Sequence, residues 1–216
     1  MYRLALLALT ALFLVVSCNS DDSNSNPPEN EPANFYALKI GNSWEYEVAT
    51  YSFVEEEYQI QDLTVTNTII GDSIINGETY FVFKTTSEGT YECSPCENCF
   101  RDEIVRDSLG YLINDHGDIL FSNTPTEDYL ISPTSWGGIY GKYVGENVEI
   151  STPAGDFETT KNEIYGVFSS GETTPSRDSH LIAENIGRIR RTVSLISNEI
   201  PLYRMTLKSY SLVDGD

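Results

Sequence analysis

The sequence predicts an all-β protein: an antiparallel, strongly curved sheet or partly open barrel, with a two-sheet β-sandwich as the alternative. Three observations point there. From Phe35 onward the chain is rich in Tyr, Val, Ile, Thr and Phe, residues that suit a pleated surface. Apolar and polar residues alternate in several stretches, the period of a strand with one buried face. Short turn signals separate these stretches, and no stretch holds a helical period beyond roughly three turns. Strands spaced by short turns imply a meander or Greek key that curls to cover its apolar face.

Composition narrows the function classes. The chain has 216 residues, a net charge of −20 and a hydrophobic fraction of 40%. That fraction supports a core and excludes global disorder. The acidic balance repels a phosphate backbone and argues against nucleic acid as a partner. No apolar run reaches the roughly 18 residues of a spanning helix. Two His leave little for imidazole acid–base or metal chemistry.

Along the chain, residues 1–17 read as a signal peptide. Arg3 supplies the positive start and residues 4–16 the short apolar run. Leu14-Val15-Val16-Ser17-Cys18 resembles a bacterial lipobox, which implies cleavage before Cys18 and acylation of its thiol and new N-terminus. Several acyl chains on Cys18 anchor a protein to a membrane without spanning it. Residues 18–34 then form a tether of Ser, Asn, Asp, Glu and Pro, too polar to offset its chain entropy by burial. Ser20-Asp21-Asp22 resembles the acidic export signal of Bacteroidota surface lipoproteins. The resemblance implies an outer-membrane lipoprotein, with the surface favoured over a periplasm-facing position.

Residues 35–216 read as a single β domain. Trp44, Tyr46 and Val48 share one face, and Glu45 and Glu47 the other. Glu55-Glu56-Glu57 reads as a solvated turn. Leu63, Val65 and Ile69 alternate with Thr64, Thr66 and Thr68. Asn76-Gly77, between Ile74-Ile75 and Tyr80-Phe81-Val82-Phe83, marks a type I′ hairpin, because both residues accept positive φ. Ser108-Leu109-Gly110 and Asp115-His116-Gly117-Asp118 read as turns flanking Tyr111-Leu112-Ile113. Residues 127–131 suit a single helical turn, 178–185 a short helix, and the Gly- and aromatic-rich 132–145 a long crossing loop. Tyr203, Met205 and Leu207 alternate with Arg204, Thr206 and Lys208 near the C-terminus.

Leu38-Lys39-Ile40-Gly41-Asn42-Ser43-Trp44-Glu45-Tyr46 resembles the opening of a group of uncharacterised Bacteroidota-type surface lipoproteins. Thr152-Pro153-Ala154-Gly155-Asp156-Phe157, Glu184-Asn185-Ile186-Gly187-Arg188-Ile189 and Tyr210 resemble later segments of the same group. The resemblance implies a shared β architecture and no activity. Physically these segments read as scaffold, with Trp44 bringing a large apolar side chain to the first strand.

Cys93, Cys96 and Cys99 lie at two-residue gaps in an expected loop. With Cys18 lipidated they are an odd set in an oxidising compartment. One disulfide plus a free thiol is the first reading, with Cys93–Cys99 as plausible as either tight adjacent pair. A zinc site completed by His116 or His180 is the second. Calcium at Asn114, Asp115 and Asp118 is a further candidate, although the spacing is not an EF-hand. Arg188, Arg190 and Arg191 read as salt-bridging residues. Trp44, Arg188 and Arg190 are the candidate ligand contacts, with Arg188 and Arg190 on one face of a regular strand and Arg191 on the other.

No catalytic motif is present, and no catalytic residue is assigned. The clustered Ser176, Asp178, Ser179 and His180 do not make a triad, which assembles from distant segments. The favoured reading is a non-enzymatic lipoprotein with a β-rich binding or structural domain at the cell envelope, partnered by the membrane and by an envelope protein or glycan. It needs no cofactor. The alternatives are a carboxylate-dependent polysaccharide hydrolase and a carrier of an apolar ligand.

Overall fold

The structure, a computed structural model, describes residues 34–90 and 100–213. Its twelve strands form one antiparallel sheet. They are β1 (Ser43–Ser52), β2 (Glu57–Ile75), β3 (Glu78–Gly89), β4 (Glu103–Ser108), β5 (Tyr111–Asn114), β6 (Ile119–Ser122), β7 (Tyr129–Thr134), β8 (Gly137–Thr152), β9 (Gly155–Phe168), β10 (Asp178–Ala183), β11 (Gly187–Val193) and β12 (Tyr203–Ser211). The order across the sheet is β6-β5-β4-β3-β2-β1-β12-β11-β10-β9-β8-β7. The sheet curls into a nearly closed barrel. The chain meanders from β1 to one edge, crosses through residues 123–128, and meanders back to pair β12 with β1. The edge strands β6 and β7 are therefore consecutive in sequence, and the seam lies between them.

The seam is closed by side chains in place of a ladder. Asn162, fully buried in β9, takes the Ser122 amide proton on Oδ1 at 2.8 Å and donates Nδ2 to the Ser122 carbonyl at 2.8 Å. Its amide stands in for a neighbouring strand's peptide and satisfies both backbone groups at the end of β6. Tyr129 of β7 donates its hydroxyl to the same Oδ1 at 2.7 Å. The Tyr129 ring rests over Gly141, where an added Cβ would meet it at 2.3 Å. Glycine there lets the ring lie flat on β8.

The interior is filled by the alternating residues. Trp44, Tyr46, Val48, Leu63, Val65, Ile69, Met205 and Leu207 are all buried. Phe35, Tyr36, Ala37 and Leu38 precede β1 and join the same core. Phe35 packs edge-on to Tyr36 and stacks with Phe121. Tyr36 donates to the Gly110 carbonyl at 2.6 Å, and Asn185 N–H donates to Phe35 O at 3.1 Å. The segment thus ties the β4–β5 turn to the β10–β11 turn.

The Asn76-Gly77 and Leu109-Gly110 turns adopt positive φ throughout, as a two-residue hairpin requires. The exposed turn spans residues 53–56, so Glu55 and Glu56 lie in it as expected, whereas Glu57 already begins β2. Three expectations are corrected. Residues 178–183 are β10, not a helix, because β9 and β11 pair with both its edges and its last four residues are buried. Residues 129–134 are the edge strand β7, where Pro133 is tolerated. The segment 132–145 is no loop: it is the β7–β8 hairpin, with Gly138 and Gly141 making room for the rings of Tyr140 and Tyr129. One sheet curled on itself also replaces the sandwich alternative.

Replacing Asn162 with Leu leaves the Ser122 N–H and C=O buried without partners. The expected loss is about 3 kcal/mol of unfolding free energy, read by urea denaturation. Thr126→Ala, which removes only the part-buried Tyr111–Thr126 bond at the same seam, is expected to cost less than about 1 kcal/mol.

Candidate functional site

A bulge in β11 builds the candidate site. His180 pairs with Arg191 and Leu181 with Arg190, but Ile182 pairs with Arg188. β11 therefore advances two residues while β10 advances one, and Ile189 is the extra residue. The bulge resets the alternation, so Arg188 and Arg191 converge on Glu103 at the start of β4. Arg188 Nη2 lies 3.1 Å from Glu103 Oε2, and Arg191 Nη1 lies 3.6 Å from Oε1. Arg190 faces the other way, within the field of Arg204, Glu47 and Tyr58. The regular-strand expectation, which grouped Arg188 with Arg190, is corrected by this shift.

Glu103 escapes a reading of the sequence because it is one of 33 acids. Its only signal is its alternation with Val105, which is 1% exposed. The side chains of Glu103 and Arg188 are 21% and 13% exposed. Burial alone would raise the Glu103 carboxyl, but Arg188 and Arg191 outweigh it and hold the group below its ordinary value of 4.5. Burial, then Arg191 and Arg188, pushes His180 well below 6.5, so its imidazole is neutral at pH 7. Asp178 is raised by burial, against hydrogen bonds from Ser194.

Trp44 and Tyr46 hold β11 in place. The indole Nε1 donates to Ile186 O at 2.6 Å, and the Tyr46 hydroxyl donates to Arg188 O at 3.1 Å. At Gly187, with φ of +103°, an added Cβ would meet the indole at 3.1–3.2 Å. Only glycine accepts both the conformation and the ring without strain. The opening segment 38–46 and the later segment 184–189 therefore meet here. Asn42 ties the segment before β1 to the residues after β12, donating Nδ2 to Ala37 O and accepting from Val213 N. Trp44 stacks on Phe83 at 5.7 Å and is 2% exposed, which gives it a scaffold role.

Two small cavities flank the ion cluster. One of about 30 Å³ is lined by Trp44, Tyr46, Phe83, Glu103 and Arg188, among others. One of about 10 Å³ is lined by Thr85, Arg101, Glu103, Arg188 and Arg191, among others. Each has room for about one water, against the roughly 300 Å³ of an organic-ligand pocket. Neither provides the apolar chamber that an apolar-ligand carrier needs. Glu103 is the one carboxylate lining either cavity, so neither presents the facing pair of acids that the hydrolase alternative calls for.

The remaining sequence candidates separate. Cys18, Cys93, Cys96 and Cys99 lie outside the described residues. His116 is exposed, whereas His180 is 9% exposed in β10. Asn114 accepts the His116 and Asp118 amide protons and donates to Asp118 Oδ2, so the 114–118 turn uses its polar groups internally. Among the described residues, no group of three or more His, Cys, Asp and Glu is gathered that could hold a metal ion. Asp178 accepts from Ser194 at 2.6 Å, and Ser176 bonds to Thr174 at 3.0 Å; neither serine is bonded to His180.

Glu103→Gln leaves two part-buried guanidiniums without their counter-charge, and the expected loss is about 2 kcal/mol in urea unfolding. The two titrations act in separate pH windows. The unfolded chain takes up a proton at His180 below about pH 6.5 while the folded chain does not, so stability falls as pH drops from there. Glu103 contributes stability above pH 4.5 that is lost as pH falls through its lowered native value. His180→Gln is expected to flatten stability between pH 6.5 and 4.5 and to leave the steeper acid limb intact, read by unfolding at successive pH values.

No protein-family model matches the chain, and no curated protein matches its sequence. Two solved structures resemble it. One is a protein inferred to be exported, with a YmcC-like fold, from Bacteroides fragilis: it is 13% identical with a TM-score of 0.47, and the match covers 83% of this chain and all of that one. The other is an inferred lipoprotein from Parabacteroides distasonis: it is 11% identical with a TM-score of 0.46, and the match covers 84% of this chain and all of that one.

Proposed function

We propose that the protein is a non-enzymatic, lipid-anchored lipoprotein of the outer membrane, whose barrel faces outward and contacts an envelope protein. The observation that carries this reading is the filled interior. The barrel's own aromatic residues and the Glu103 ion cluster occupy the space that a catalytic cleft or apolar cargo would need, which directs contacts to the exterior. The lipobox-like segment ending at Cys18 and the polar tether supply the attachment.

The two ends of the barrel differ in a way that suits this reading. The chain enters β1 at Ser43, beside the β4–β5 and β10–β11 turns. At the other end of β1, roughly 33 Å away for a ten-residue strand, Phe53 and Val54 are 56% and 93% exposed. Leu195, Ile196 and Ile200 are exposed in the adjoining β11–β12 loop, which is tied there by bonds from Tyr51 and Tyr58 to Leu202 and Pro201. This apolar end carries Glu55, Glu56, Glu57 and Glu199, so a protein with a basic rim around an apolar surface complements it.

Cys18→Ala is expected to move the protein from the membrane fraction to the soluble fraction; retention in the membrane contradicts the anchor. Protease added to intact cells is expected to degrade the anchored protein, and full protection contradicts the outward orientation.

A further inference from the structure

The end of the barrel at which the chain enters β1 exposes apolar side chains on separate turns. β3 pairs with β4 from Phe83–Glu103 to Phe81–Val105. Arg106 extends that contact, lying over the Tyr80 ring and 3.9 Å from Glu78. The β2–β3 and β4–β5 turns therefore stand side by side. Ile74, beside the first turn, is 74% exposed, and Leu109, in the second, is 95% exposed. At the same end Gly41 N–H donates to Ile69 O. Exposed Ile40 precedes Gly41, and exposed Val213 packs against it.

Folding does not account for Leu109. Its φ is +55°, in the left-handed region where a leucine is strained and Asn, Asp or Gly is favoured. The adjacent hairpin has Asn76 and Gly77 at its two positive-φ positions. The β4–β5 turn is held by other groups. Gly110 N–H donates to Asp107 Oδ1 at 3.0 Å, and Gly110 O accepts from the Tyr36 hydroxyl and from Asn123 N–H. The exposed Leu109 side chain returns no packing for its strained backbone. A bulky apolar residue kept at such a position marks a contact outside the fold.

The position of the anchor says what that contact is. Asn34 lies at this end, next to Phe35 and Tyr36, which bond to the β10–β11 and β4–β5 turns. The 16 residues from Cys18 to Ala33 span at most about 60 Å. A lipid surface held by Cys18 therefore meets this end at an effective concentration on the order of millimolar, where a few inserted side chains suffice. We infer that this end of the barrel rests on the membrane, with Leu109 and Ile74 inserted at the headgroup boundary and Ile40 and Val213 beside them. Exposed Asp72, Asp107 and Glu184 at the same end repel anionic headgroups, so the surface that fits is zwitterionic lipid. Seating this end directs Phe53 and Val54, at the other end of β1, away from the membrane. The inference rests on the anchor at Cys18 proposed above and adds the contact that orients the barrel.

The test is tryptophan fluorescence of the mature, lipidated protein in phosphatidylcholine vesicles, with and without bromine on the upper acyl chain as a contact quencher. Trp44 and Trp136 set the background in the parent chain. Leu109→Trp and Val54→Trp place one further indole at opposite ends, each at an almost fully exposed position. Bromine is expected to quench the added signal of Leu109→Trp severalfold and to leave that of Val54→Trp unchanged. Replacing half of the lipid with anionic phosphatidylglycerol is expected to weaken the quenching. Leu109→Asn suits the left-handed turn and is expected to unfold in urea at or above the parent's midpoint. Combined with Ile74→Trp, it is expected to cut the quenching of that indole severalfold, which a merely structural leucine would not do. Each variant is also floated with its vesicles. Flotation with equal quenching at the two ends, or with none at either, overturns the seating and leaves the anchor standing. Loss of flotation overturns the anchor and the seating with it.

Discussion

The rest of the structure depends on how the seam between β6 and β7 is closed. A twelve-stranded meander that starts in mid-sheet and returns to its starting strand leaves two edges, and both belong to the middle of the chain. An open edge exposes a row of backbone donors and acceptors. Here Asn162 presents one side-chain amide to Ser122 and takes the Tyr129 hydroxyl on the same oxygen. One residue thus holds β9, β6 and β7 together. With the seam closed, the inward faces of all the strands bury one another, and a filled core follows.

The ion cluster is the second constraint, and it comes from a single extra residue. Without the bulge at Ile189, Arg188 and Arg191 would stand on opposite faces, and Glu103 would have one partner at most. With it, a part-buried carboxylate is held ionised between two guanidiniums, and Trp44 and Tyr46 pin the strand that supplies them. The same geometry makes the interior a poor place for general-acid chemistry, since the one lining carboxylate is kept from its proton.

Much of the fold was legible in the sequence, and the reasons are local. Strict alternation at Trp44, Tyr46 and Val48 and at Tyr203, Met205 and Leu207 identified inward faces, and Asn76-Gly77 identified a turn by its φ alone. Where tertiary pairing overrides weak local preference, the sequence misled: residues 178–183 become a strand because two neighbours pair with them. Gly138 and Gly141 of β8 looked like loop residues because their purpose, room for the Tyr140 and Tyr129 rings, is visible only in three dimensions. The site was legible in part. Arg188 was singled out, but a bulge carries no sequence mark, so Arg191 was placed on the wrong face and Glu103 stayed hidden among the other acids. Asn162 gave no signal at all, because a buried amide that mimics a strand reads as an ordinary polar residue.

The most direct test of this account is native-state hydrogen exchange at the Ser122 amide. The seam as described gives that proton to a fully buried Asn162 side chain. The account predicts exchange as slow as at the ladder amides of β1, opening only with global unfolding. Exchange at the rate of an exposed loop would mean that the barrel opens at β6, and the claim of a sealed, self-filled interior would fail with it.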